Sequence, residues 1–109
     1  MQKTINPQPK PKAWRSKEYL EWLRKQRPFI GGSGQTVYHH LKMFHGGGIG
    51  VKPPDDHCIP VADSVHKRIH QYGEYTTLCV TYGYSKAFLK SLCRNYRQLW
   101  ENENVDNRT

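Results

Sequence analysis

The sequence predicts a small α+β domain: a β-hairpin, a long glycine-rich loop and a histidine-bearing helix, flanked by an N-terminal and a C-terminal helix. Three observations predict it. An extended run, Gln35-Thr36-Val37-Tyr38, ends in the pair His39-His40. A glycine-rich stretch follows, His45-Gly46-Gly47-Gly48-Ile49-Gly50. Then Asp63-Ser64-Val65-His66-Lys67-Arg68-Ile69-His70 spaces two histidines i, i+4, so on a helix both imidazoles leave one face, one turn apart.

Residues 1–14, with Pro7, Pro9 and Pro11 among Lys3, Lys10 and Lys12, read as a flexible basic arm. Ser16 is placed to cap a helix from Lys17 to about Gln26, with Tyr19, Leu20, Trp22 and Leu23 on its buried side and Pro28 as its stop. Phe29-Ile30 and Gln35–Tyr38 flank the Gly31-Gly32-Ser33-Gly34 turn and read as the hairpin. Leu41 to Pro54 is too irregular for regular structure, and a loop of that length in a small domain is usually functional. Cys58-Ile59-Pro60-Val61 is a short apolar piece. Asp63 reads as the N-cap of a helix over Ser64–Gln71 that ends at Gly73. Thr76–Tyr82 reads as either strand or helix. Ser85 caps the last helix, reaching about Trp100, and residues 101–109 read as a polar, fraying tail. The domain proper is thus expected over 15–100.

The last helix separates its faces. Phe88, Leu89, Leu92, Cys93, Tyr96, Leu99 and Trp100 share one side and read as core. Lys86, Lys90, Arg94 and Arg97 fall within roughly 80° of each other on the opposite side, at 100° per residue. That basic stripe reads either as phosphate contact or as a solvated face.

With 36% apolar residues among 109, the core must be small and rich in aromatics. Cys58, Cys79 and Cys93 form no CxxC and leave an odd one out, which points to buried thiols in a reducing compartment. No apolar leader and no bilayer-length run is present, so no membrane association and a cytoplasmic location are expected. The formal charge is +8. Residues 1–30 hold eight Lys/Arg against two Glu, 31–83 hold four against four, and 84–100 hold four bases and no acid. A near-neutral histidine centre between positive flanks suits a polyanion held by its phosphates. A solubilising surface is the plainer reading.

Imidazole suits zinc, nickel and manganese, and HxxxH on one helical turn supplies two ligands. Phosphodiester cleavage needs a base to activate water and a cation to hold the developing charge. Four histidines on a strand, a loop and a helix offer both, which in a basic chain points to a metal-dependent nuclease. The glycine run is not a P-loop, because no Gly-Lys-Ser/Thr follows it. His45 and His57 line the site, touch phosphate or sit on the surface. Asp56 orients an imidazole or ends a turn, and Lys52 contacts phosphate or is solvated.

At particular residues a resemblance becomes specific. Arg15-Ser16-Lys17-Glu18-Tyr19-Leu20, His39-His40-Leu41, Gly46-Gly47-Gly48-Ile49-Gly50-Val51-Lys52, Asp56, Ile59-Pro60-Val61 and His66-Lys67-Arg68-Ile69-His70 together resemble phage and prophage HNH nucleases of the ββα-metal superfamily, those related to the RecA-dependent nuclease Ref. The likeness covers about residues 15–73. It implies a ββα-metal finger in which His40 is the general base, while His39, His66 and His70 hold a divalent metal ion (Mg, Mn, Ni or Zn). It implies DNA as partner; the basic residues Lys52, Lys67, Lys86, Lys90, Arg94 and Arg97 are, on charge and placement, the candidate nucleic-acid contacts, and His45, Asp56 and His57 the candidates for the surroundings of the site. A role in phage recombination or DNA processing, a RecA-like filament as a further partner and the bacterial host cytoplasm follow from the same likeness.

Relatives commonly carry a Cys-x-x-Cys pair before the first strand and a Cys/His pair at the head of the helix, closing a structural zinc. Here those positions resemble Pro28 to Gly31, and Ala62 with Val65, with no cysteine among them. No structural zinc is expected, and an apolar plug of Phe29, Ile30, Ala62 and Val65 is expected instead. That loss leaves a second reading open, a non-catalytic DNA-binding accessory protein on a degenerate finger. A third, a purely structural zinc module, is disfavoured by the adjacent His39-His40 pair, since neighbouring side chains rarely both ligate one ion.

Overall fold

In the computed structural model, which describes residues 13–44 and 52–108 (105–108 by backbone alone), Ser16 caps helix α1 (Lys17–Arg24), its Oγ accepting the Tyr19 N–H at 3.0 Å. Strand β1 (Thr36–His40) pairs antiparallel with β2 (Cys58–Ala62), in register Thr36 with Ala62 through His40 with Cys58. Short 3-10 turns, Lys42–Phe44 and Asp55–His57, lie between the strands. Helix α2 (Asp63–Tyr72) follows β2 directly, then a π-helical turn, Thr76–Thr81, and the long helix α3 (Lys86–Arg108). The molecule is therefore a small α+β fold with a two-stranded antiparallel hairpin among helices. The basic arm before residue 13, the glycine run and His45 lie outside the described residues.

The hairpin differs from the expected one. Phe29-Ile30 does not turn back on Gln35–Tyr38; Ile30 makes a parallel bridge to Val61, on the far edge of β2. The Phe29 N–H donates to Pro60 O at 2.7 Å and the Ala62 N–H to Ile30 O at 3.1 Å. In an extended strand the nitrogen and carbonyl of one residue point to the same edge. Pro60 therefore lacks its N–H on the side away from β1, and no β1–β2 ladder bond is lost.

The glycine turn instead locks onto the head of α2. The Ser33 N–H donates to Ser64 Oγ at 2.9 Å, and the Ser64 N–H returns to Ser33 O at 3.1 Å. A Cβ on Gly32 would fall 2.4 Å from Ser64 Oγ, so this approach requires glycine. Ile30, Ala62 and Val65 are buried in one apolar cluster with Phe29 packed against it, so the apolar plug forms as the sequence implies.

Strand alternation sends the core two ways. Ile59 and Val61 join Val65, Ile69, Leu78, Leu89 and Cys93 beneath α2 and α3. Cys58 turns to the other face, with Tyr19, Leu20 and Leu23 of α1, where Trp14, Trp22, Tyr38, Tyr96 and Trp100 pack. All three cysteines are free, and burial pushes the Cys58 and Cys93 thiols up in pKa, which keeps them protonated and inert.

Three boundaries need correction. Asp63 is the first residue of α2, not its cap; Ala62 holds the cap position, and the Asp63 carboxylate pairs with Lys67 at 3.1 Å. Of the two readings of Thr76–Tyr82, helix is the one the structure has, as a π-helical turn ending at Thr81. The polar tail continues α3 past Trp100 to Arg108; the Trp22 indole of α1 donates to Glu103 Oε2 at 2.9 Å, and Arg97 pairs with Glu101 along α3 itself. Phe88 and Leu99, expected in the core, are exposed. No described helix is long and apolar enough to cross a membrane.

Candidate functional site

Adjacent residues of a strand face opposite sides, so His39 and His40 part company. His39 is only 6% exposed and turns toward α2, its ring centre 5.4 Å from that of His66 and 6.4 Å from that of His70. On α2, Val65 and Ile69 are buried, and the neighbouring i, i+4 row carries His66 and His70 to the cavity, with Nε2 atoms 3.1 Å apart. His40 turns toward Tyr38 and the α1 side.

Two carboxylates complete the site, and neither was legible as a site residue in the sequence. Glu74, one residue past the α2 terminator Gly73, lies 2.7 Å from His39 Nε2 and accepts the N–H groups of Lys42 and Met43. It therefore ties the third histidine to the start of the long loop. Asp55 is 3% exposed and lies 2.9 Å from His40 Nε2. It also accepts the Ser16 N–H at 2.9 Å and an Arg15 N–H at 3.2 Å, while Arg15 bonds the Pro53 and Lys52 carbonyls. The sequence offers only the Asp55-Asp56 pair before β2, with nothing local to distinguish one from the other.

Titration follows the packing. Burial opposes charge on Asp55, but the His40 bond, the Ser16 N–H and the Arg15 guanidinium outweigh it and hold the carboxyl below its ordinary range. Burial likewise opposes the Glu74 charge, and His39 with two loop N–H groups reverses it. Burial lowers the pKa of His40 even though the Asp55 bond and charge act to raise it. Burial, then the charges of His39 and His70, lower that of His66. These two rings stay neutral at pH 7, as a base or a metal ligand must.

His39, His40, His66 and His70 border one cavity of ≈ 300 Å³, with Tyr38, Lys42 and Lys52 on its rim. As donors the residues suit a borderline divalent cation: three imidazoles and one carboxylate. The facing Nε2 atoms of His66 and His70 already meet at one point. His39 Nε2 is engaged by Glu74, and among the described residues no three such side chains converge on one ion position as they stand. Closing a three-histidine site requires His39 to exchange Glu74 for the cation.

The remaining expected residues lie elsewhere. Asp56 pairs with Arg97 at 2.9 Å. Arg97 in turn stacks 3.7 Å over the Trp14 ring, so it clamps α3 to the segment before α1. His57 lies against Phe44 and, with Lys90 and Arg94, lines a separate groove of ≈ 350 Å³ along α3. Lys90 sits over Phe44, Lys86 over Tyr75, and Lys67 is solvent-exposed beside Asp63.

No curated protein and no solved structure matches the chain. A family model does match, over residues 4–95, and its span includes both strands, α2 and every histidine of the cavity. The chain belongs to the family described as Protein of unknown function (DUF968).

Proposed function

We propose that this chain is a metal-dependent HNH endonuclease that hydrolyses phosphodiester bonds of DNA, with His40 as general base and Asp55 as the residue that positions it. The observation that carries the reading is the shared cavity: His40 borders the same space as His39, His66 and His70, with Lys52 at the rim. In neutral His40 the proton sits on Nε2, facing Asp55, and Nδ1 keeps the lone pair. Water loses a proton to Nδ1 as its oxygen attacks phosphorus; the bond from phosphorus to the 3′ oxygen breaks, leaving a 5′-phosphate and a 3′ oxygen that takes a proton from solvent to become the 3′-hydroxyl. Lys52 and Lys42 offer positive charge to the backbone of the strand. His39, His66 and His70 would hold a divalent ion, which would supply Lewis-acid stabilisation of the developing negative charge. The same reading makes phage or prophage DNA processing the setting, with a RecA-like filament as a partner.

One observation favours a second reading, a non-catalytic DNA-binding accessory protein: the grip of Glu74 on His39 Nε2. Nicking of supercoiled plasmid with Mg²⁺, Mn²⁺, Ni²⁺ or Zn²⁺ separates the two. The nuclease reading expects nicking with at least one of them, and none with any ion favours the accessory protein.

Asp55→Asn gives a sharper result. Losing the orienting carboxylate should lower cleavage roughly 10- to 100-fold. Because the Asp55 bond and charge both raise the His40 pKa, the acid limb of the pH–rate profile should also move to lower pH. A purely structural role for Asp55 would lower the melting temperature and leave that limb in place.

A further inference from the structure

Among the described residues, the exposed large apolar and aromatic side chains other than Leu99 all fall between 72 and 88: Tyr72 (56%), Tyr75 (55%), Val80 (64%), Tyr82 and Phe88. Two of these rings carry a cation. The Arg68 guanidinium lies 5.7 Å from the centre of the Tyr72 ring, and the Lys86 ammonium 5.7 Å from that of Tyr75. Tyr75, Tyr84 and Lys86 border a shallow cavity of ≈ 360 Å³. Between Ser64 and Trp100 the sequence holds one carboxylate, Glu74, and it is turned inward onto His39 and the loop amides. An ordinary solvated face intersperses both signs of charge and keeps its aromatic rings covered. This one does neither.

Solvent-facing rings beside unpaired cations complement a strand that offers both base faces and phosphates. In a duplex the bases already stack on each other, so their faces are closed to tyrosine. We infer that the Tyr72–Phe88 surface binds single-stranded DNA, with bases stacked on Tyr72 and Tyr75 and phosphates held by Arg68 and Lys86. At 100° per residue, Arg68 and Tyr72 leave α2 about 160° around the helix from His66 and His70, so this surface and the histidine cavity occupy opposite faces of one helix. As a statement about that cavity's substrate, a single strand or a junction with a single-stranded arm, this rests on the nuclease reading. As a statement about binding it does not.

The test is equilibrium fluorescence anisotropy on the full chain, in EDTA to silence cleavage, with a labelled thymidine 30-mer and with the same strand annealed to its complement. The single strand should bind at least tenfold more tightly. Tyr72→Ala with Tyr75→Ala should weaken it by about tenfold or more, whereas Phe at both positions, which keeps the ring face, should leave it nearly unchanged. Equal affinity for the duplex overturns the inference. So does unchanged binding by an alanine pair whose circular dichroism is intact, or self-association of the wild type that the alanine pair abolishes, since the face is then a protein interface. Plasmid nicking is scored in parallel. Nicking without single-strand preference removes this inference and leaves the nuclease reading; tyrosine-dependent binding without nicking by any metal ion does the reverse.

Discussion

If the proposed nuclease reading holds, His40→Ala should lower DNA cleavage by about 10²–10⁴-fold, the usual contribution of a positioned base, while metal and DNA binding should stay close to wild type. The expectation follows from where the ring sits. His40 borders the cavity but leaves the opposite face of β1 from His39, and its Nε2 is committed to Asp55. Losing it should affect proton transfer more than the ion or the strand. Its removal does leave the buried Asp55 with one partner fewer, so thermal melting belongs beside the rate measurement. Arg15 and the Ser16 N–H still hold that carboxylate, and the variant is expected to fold. Loss of cleavage together with loss of the ion would place His40 among the ligands instead.

The second large effect concerns metal removal. EDTA should abolish cleavage yet change far-UV circular dichroism little, and added divalent ion should restore activity. The junction of the 28–34 segment with α2 is held by Ile30, Ala62 and Val65, with Phe29 packed against them, and by the paired Ser33–Ser64 hydrogen bonds, none of which needs a metal. Were the ion part of the folding energy, chelation would unfold the chain. Acid should act differently. The folded-state pKa values of His40 and His66 lie below the ordinary imidazole value, so below about pH 6.5 the unfolded chain takes up these protons first. Asp55 and Glu74 are depressed likewise, and their contribution is present above the ordinary carboxylate value and lost as pH falls through their folded-state values. All four have the same sign. The melting temperature should fall steadily from pH 7 toward pH 4, and a melting temperature that rises on acidification would contradict these environments.

The parts of the site that were legible in the sequence are those governed by local periodicity. The i, i+4 spacing of His66 and His70 on a helix, and the Ser16 and Ser85 caps, depend on a few neighbouring residues, and the structure has them. The partners of the histidines are a different matter. Asp55 and Asp56 are chemically alike and adjacent, and only the 3-10 turn at 55–57 decides that Asp55 meets His40 while Asp56 meets Arg97. Glu74 has no pattern to mark it; its role depends on the end of α2 at Gly73, whose φ is +97°. The Gly31-Gly32-Ser33-Gly34 turn carries a strong local hairpin signal, yet the partner of β1 lies beyond the long loop, and a non-local pairing is invisible to turn chemistry. Arg97 read as one of four equivalent cations because Asp56 and Trp14 come to it only in the folded chain.

The claim that His39, His66 and His70 hold one catalytic ion is tested most directly by loading the chain with Ni²⁺ or Mn²⁺ and locating the ion by anomalous X-ray scattering. The account predicts a single ion in the histidine cavity, within about 2.0–2.2 Å of one nitrogen from each of the three rings, with His39 released from Glu74 and His40 unbound on Asp55. An ion that binds elsewhere, or a cavity that stays empty at saturating metal with His39 still on Glu74, would contradict it.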